Sequence, residues 1–291
     1  SADAAGARYL GAAGVSGQGM LSFFKKLQNM EYRLAIPQES SYNRTHPLSG
    51  ERISALTADL QAQPGWAKPV DAGLQERFLR VQAKLRGYVN DPKETLRRYP
   101  ASDQSIPAHY ARAYAYHLTG YPDQAQQETA ALVKAKPHDP YFLELEGQIL
   151  LESGKPQQAL APLREATERT NNQPLIAATF GHALIATEDT AHLSEAEQVL
   201  RQAVGRDREN PFAWTQLATI YERKGDQPRV ALAMAERASL IGEWPMALAS
   251  ARAAVAGLPE GTPERLRAQD IQMIAQNEAD ERKRRRRLTD R

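Results

Sequence analysis

The chain has 291 residues, 42% apolar, 25% charged and 7% aromatic, and no apolar run in it approaches the roughly 20 residues of a membrane span. It contains no cysteine, which excludes disulfides, thiolate zinc sites and a cysteine nucleophile. The formal net charge of +2 conceals an asymmetry: the last eleven residues, ERKRRRRLTDR, carry seven Lys or Arg against Glu281 and Asp290, which leaves the rest at −3 and with no electrostatic reason to bind nucleic acid.

The chain opens on Ser1 with no charged leader region, and reads as a processed or truncated start. Residues 2–12 read as the end of a helix that Gly14 stops, with Gly17 and Gly19 in the following turn. Met20, Leu21, Phe24, Leu27 and Met30 are spaced as one apolar face of a helix over 18–30. Residues 31–47 are polar and broken by Pro37 and Pro47. Ser49 is placed to cap a helix reaching about 62, with Ile53, Leu56 and Leu60 inward. PGWAKP at 64–69 is a breaker. An amphipathic helix follows over 71–88, its apolar face made of Leu74, Phe78, Val81, Leu85 and Val89. Asn90-Asp91-Pro92 interrupts it, a short helix runs to Arg98, and Tyr99 to Pro107 is a linker. No segment alternates as a strand does.

From 107 a repeat takes over. Gly120 and Gly154 stand 34 residues apart in matching surroundings, as do Ala125 and Ala159. That interval, filled by paired helices, is the period of tetratricopeptide repeats. Small residues are needed where the two helices of a unit cross, because they let the axes approach. The first unit, about 106–139, supplies Ala113, Gly120 and Ala125, with Leu132 where a second Ala is usual. The second, 140–173, supplies Gly147, Gly154, Ala159 and Ala166. The third, 174–210, keeps Gly181, Ala196 and Ala203 but is three residues longer, in the turn around Thr187–Leu193. The fourth carries Trp214, Leu217, Ala218, Tyr221 and Gly225.

The helix over about 227–241 then fits two units at once. Ala231 and Ala238 suit the second helix of the fourth unit. Ala235, Gly242, Trp244, Ala247 and Ala254 suit a further unit starting near 228. The stacking is expected to distort there. A last helix, 263–278, with Leu266, Ile271 and Ile274, is the expected cap, and the basic run after it the expected disordered tail.

Catalytic signatures are missing. No two of the six histidines stand at i, i+4, and there is no H-E-x-x-H, phosphate loop or G-x-S-x-G elbow. Trp214 and Tyr221 read as core within a repeat; Tyr110, Tyr114 and Tyr116 are candidates to line a groove, although at helical spacing some of them must simply pack. Arg282 to Arg287 could attract anionic lipid, but no aromatic residue is interleaved to stack on bases.

Two N-terminal segments are more specific. Ala2-Asp3-Ala4-Ala5, Tyr9-Leu10 and Gly14-x-x-Gly17-x-Gly19-Met20-x-x-Phe23-Phe24 form one, and Thr45-His46-Pro47-Leu48-Ser49-x-Glu51-Arg52-Ile53 the other. Together they resemble the segment after the zinc site in periplasmic zinc metallopeptidases of the BepA type, which are H-E-x-x-H enzymes with C-terminal tetratricopeptide repeats. The resemblance implies that Asp3 is the Asp of the family's E-x-x-x-D helix and that His46 can come near the metal in an intact enzyme. It implies zinc in the parent enzyme, with all three protein ligands outside these 291 residues, so that this chain alone is expected to be inactive. It also implies a periplasmic location and a part in outer-membrane protein quality control.

The expectation is an all-α fold: a right-handed tetratricopeptide-repeat solenoid preceded by a small helical segment. Residues 1–63 would be the remnant of a metallopeptidase domain, 64–106 a helical linker, 107–278 the repeats and 279–291 the basic tail. The expected partner is a protein or peptide in the repeat groove. Nucleic acid is not expected, and membrane association would be peripheral at most. The competing expectation is a regulatory or structural domain packing on the protease domain and controlling access to its zinc.

Overall fold

A computed structural model describes residues 2–34 and 49–289, with side chains described as far as 281. Among these residues every regular element is helical. They divide into two compact units, Ser1–Val81 and Gln82–Arg291.

In the first unit, helices α1 (Ala2–Ala12) and α2 (Gln18–Arg33) pack on α3 (Ser49–Gln61) or against its core. Ala7, Leu21, Phe24, Leu56 and Leu60 form that core, with Trp66 against its edge. Gly17 makes room for it, since a Cβ there would lie 2.5 Å from Leu60 Cδ2. The Trp66 carbonyl accepts hydrogen bonds from Ser16 Oγ at 2.8 Å and Gln18 Nε2 at 2.7 Å, which fastens the Pro-Gly-Trp turn to the start of α2. Ser49, expected as a cap, instead donates through both its backbone N–H and its hydroxyl to Glu31 Oε1.

Helix α4 (Ala72–Val89) departs from expectation. Leu74, Phe78, Val81, Leu85 and Val89, its apolar stripe, are between 51% and 71% exposed. The side it buries is the small one, Ala83 and Gly87. Gly87 lies so close to Ala111 and Tyr114 that a Cβ would meet the Ala111 carbonyl at 2.7 Å. Periodicity identified the helix, but close approach by a glycine, not hydrophobicity, chose the buried side.

Helix α5 (Pro92–Arg98) leads to the repeats. Their helix pairs are α6 (Ile106–Leu118) with α7 (Pro122–Ala135), α8 (Pro140–Glu152) with α9 (Pro156–Arg169), α10 (Pro174–Ala186) with α11 (Leu193–Arg206), and α12 (Pro211–Arg223) with α13 (Gln227–Leu240). First helices begin on a side chain that accepts a backbone N–H, followed by Pro in the first turn. Ser105, Asp139, Gln173 and Asn210 all do this, and Asp226 does it for α13. The turns between paired helices hold Gly120, Gly154 and Gly225 at φ +73 to +74, a left-handed conformation that costs glycine nothing. In the longer third unit Glu188 takes φ 59, and the extra residues form a 3-10 turn, Thr190–His192.

The crossings show why the small residues recur. A Cβ on Gly147 would fall 2.4 Å from Leu163 Cγ, and one on Gly181 2.5 Å from Leu200 Cγ. Each glycine receives a fully buried leucine from the partner helix. In the first unit the register-equivalent pair is Ala113 and Thr129, both at 0% exposure: a larger residue on one side is matched by a smaller one on the other. Ala125, Ala159, Ala166 and Ala196 are likewise fully buried in the second helices.

Helix α13 does serve twice. It packs on α12 and still more extensively on α14 (Trp244–Gly257), across a turn in which Gly242 has φ +73, as Gly225 has on its other side. Ala235, Ala238, Ala247, Ala251 and Ala254 are all fully buried there, giving a seam of alanine against alanine. Helix α15 (Pro263–Thr289) closes the stack. It turns inward Ala268, Ile271 and Ala275, whereas Leu266 and Ile274, expected inside, are exposed. Its backbone stays helical through the basic run to Thr289, where a disordered tail was expected.

Candidate peptide-binding groove

The first helices of the units lie side by side, α8 against α10 and α10 against α12. Bonds across their seams fix the row. His117 Nε2 on α6 lies 2.7 Å from Glu152 Oε2 on α8. Tyr110 packs edge-on against Phe142, and His182 on α10 packs edge-on against Phe212 on α12. Arg223 Nη1 donates to the Ile185 carbonyl at 3.0 Å.

Three exposed apolar side chains follow this row at one register. Tyr141, Leu175 and Phe212 each come directly after the N-terminal proline of α8, α10 and α12. They are 50%, 61% and 42% exposed. Three Pro–apolar dipeptides at intervals of 34 and 37 residues were the sequence signal for them, and repeat-defining positions alone did not reveal it.

Beside the apolar ladder runs a polar stripe. Glu152 accepts from His117 and, at 2.9 Å, from Gln148 Nε2. The bond from His117 is the main reason that its carboxyl sits below the usual range. Burial lowers the His182 imidazole, with Glu152 pulling the other way, so the ring is neutral near pH 7. Burial raises the carboxyl of Glu144 against the pull of Lys84, whose Nζ is 3.7 Å away. Glu144 Oε2 is buried without a hydrogen-bond partner. The stripe holds carboxylates, imidazoles and amides but no paired nucleophile and base. What the surface offers is spaced apolar contacts flanked by hydrogen-bonding groups, the needs of an extended polypeptide.

Other sequence candidates lie elsewhere. Tyr110 and Tyr114 are buried in the core with Phe142 and do not face the groove, because α4 approaches α6 closely above them. Tyr221 is buried. Trp214 is half-buried, its indole N–H donating to the Arg208 carbonyl at 2.9 Å. Asp3 is held by Arg52, whose Nε and Nη2 each reach a carboxylate oxygen at 2.7 Å. His46 lies outside the described residues. Among the described residues no group of three or more His, Asp or Glu could hold a metal ion. No helix among them is long and apolar enough to cross a membrane.

No protein-family model matches the sequence. Among curated proteins it is similar to the beta-barrel assembly-enhancing protease of Yersinia pestis, 23% identical over 273 residues, covering 91% of this chain and 54% of that protein. The Escherichia coli K12 protein of the same name is 23% identical over 254 residues, covering 85% of this chain and 50% of its own length. The chain thus spans about half the length of the curated relatives it matches. Among solved structures, YrrB, described as a tetratricopeptide-repeat protein with an unusual peptide-binding site, is 19% identical and covers 63% of this chain and all of its own, with a TM-score of 0.48. MamA is 16% identical and covers 59% of this chain and 96% of its own, with a TM-score of 0.43.

Proposed function

We propose that this chain is the polypeptide-binding region of a periplasmic zinc metalloprotease, and that its groove recruits substrates or outer-membrane assembly partners to the enzyme. The observation that carries the reading is the ladder of Tyr141, Leu175 and Phe212 along adjacent first helices. Solvent-exposed apolar groups at a fixed register cost solubility and contribute nothing to the core, so a binding role accounts for them. The relatives named as β-barrel assembly-enhancing proteases supply the context of a protease and of outer-membrane assembly. Zinc enters this reading through those relatives, and Asp3 is engaged by Arg52 in this chain.

Fluorescence anisotropy with an unfolded, labelled outer-membrane β-barrel polypeptide tests this. Replacing Tyr141, Leu175 and Phe212 together by Glu should weaken binding at least tenfold while leaving the helical circular dichroism intact. Equal binding by wild type and variant would contradict a role for the groove.

The exposed stripe of α4 favours a second reading, in which the chain also packs on the protease domain and controls access to its zinc site. Under that reading, Phe78→Glu or Leu85→Glu would alter protease activity in the longer enzyme but leave binding by the isolated chain unchanged.

A further inference from the structure

A second recess lies beside the shared helix α13. It is a cleft of about 330 Å³ between α11, α12, α13 and α15. Its walls carry Arg201, Arg208, Arg229 and Arg267 against only Glu236 and Glu264. Two of the arginines are neutralised. Arg267 holds the nearly fully buried Glu236 through two bonds of 2.7 Å. Arg229 Nη1 meets Asp226 at 2.7 Å, although its Nε is buried without a hydrogen-bond partner.

The other two are less committed. Arg208 is exposed and has no ion-pair partner among the described residues. Arg201 is exposed; it lies beside the Tyr221 side chain and 3.7 Å from Glu197, a carboxylate that Lys224 also engages. The lining also includes Trp214, half-buried, and the buried Leu217 and Leu232, with the Trp214 ring fixed by its bond to the Arg208 carbonyl.

We infer that this cleft is a second peptide site, which takes an acidic segment. Carboxylates of the ligand pair with Arg201 and Arg208, and one apolar side chain rests on Trp214. Complementary charge selects the occupant: with Arg267 and Arg229 paired to Glu236 and Asp226, Arg201 and Arg208 are opposed in the lining by Glu264 alone, and arginine forks match carboxylates. A nucleic acid fits poorly, because its phosphates need a basic track. No such track continues beyond the cleft: Arg206 and Arg208 alternate with Asp207 and Glu209, and Glu197 lies between Arg201 and Lys224. The site is independent of the groove and does not rest on the protease reading.

The three tryptophans, Trp66, Trp214 and Trp244, give a specific readout through their indole N–H signals in ¹⁵N-labelled chain. The probe is an acetylated six-residue peptide of Asp and Glu around one Phe. Controls are the same peptide with Lys for each acid, and inorganic phosphate. The acidic peptide should shift the Trp214 signal selectively, and Arg201→Gln/Arg208→Gln should weaken its binding at least tenfold. Both arginines are exposed, so this variant should fold. The Leu175→Glu/Phe212→Glu groove variant should bind the peptide normally, which separates this site from the groove. Unchanged affinity in the arginine variant, an equal response to the Lys peptide, or displacement by phosphate at comparable concentration would each overturn the proposal.

Discussion

Asp3 and Arg52, 49 residues apart in sequence, are joined by two parallel bonds of 2.7 Å, and the same guanidinium lies 4.0 Å over the Phe24 ring. One contact therefore links the two segments that carry the metallopeptidase resemblance, the Ala-Asp helix and the Ser-Gly-Glu-Arg helix. The hydrogen bonds from Arg52 hold the Asp3 carboxyl below the usual carboxylate range. A depressed carboxylate contributes stability that is present above its unfolded-state pKa and is lost as pH falls through the folded one. Both side chains are about one-quarter exposed, so screening limits the pair to about 1 kcal/mol or less. Urea melts of wild type and Asp3→Asn should differ by that amount at pH 7 and converge in acid. A constant difference across that range would mean that the pair is not the cause.

The crossing at Gly147 is expected to be intolerant of one added methyl. Gly147→Ala places a Cβ 2.4 Å from Leu163 Cγ, and overpacking of this kind costs about 1–3 kcal/mol. Adding Leu163→Thr re-creates the Ala113–Thr129 combination of the first unit. The double variant should therefore lose less stability than the two single variants summed, measured as a double-mutant cycle in denaturant.

Arg112 is 1% exposed and depends on Glu128. Its Nε and Nη2 reach that carboxylate at 2.7 and 2.9 Å, and its Nη1 donates to the Pro100 and Asp103 carbonyls, pinning the segment before α6. Glu128→Gln leaves a buried guanidinium uncompensated and should cost about 3–5 kcal/mol in thermal or chemical unfolding. A loss within about 0.5 kcal/mol, the usual range for surface changes, would show that water reaches the arginine.

The α4 stripe gives the opposite expectation. Phe78→Glu and Leu85→Glu should each change stability by no more than about 0.5 kcal/mol, as surface substitutions do, and should reduce self-association at high concentration. Large destabilisation would place those side chains in a core.

These cases mark what the sequence could convey. The 34-residue spacing, the turn glycines and the double use of α13 depend on local backbone and on residue size, both written in the chain. Gly147 and Gly181 could be placed at crossings because the repeat register calls for a small residue there. Which side of α4 or α15 is buried depends on the neighbouring helix. A small residue such as Gly87 or Ala268 can win over a larger apolar one by allowing closer approach. For the same reason Tyr110 and Tyr114 are core, while Tyr141, Leu175 and Phe212 carry the candidate groove. The arginine cleft joins residues from four helices and had no contiguous motif to reveal it.

Whether the row of first helices binds polypeptide is decided by hydrogen–deuterium exchange of the chain with and without an unfolded outer-membrane β-barrel polypeptide. Protection concentrated at the N-terminal turns of α8, α10 and α12, around Tyr141, Leu175 and Phe212, is the result predicted. Binding that leaves those turns unprotected, with protection confined to α4 or to the cleft at Arg208, would contradict it.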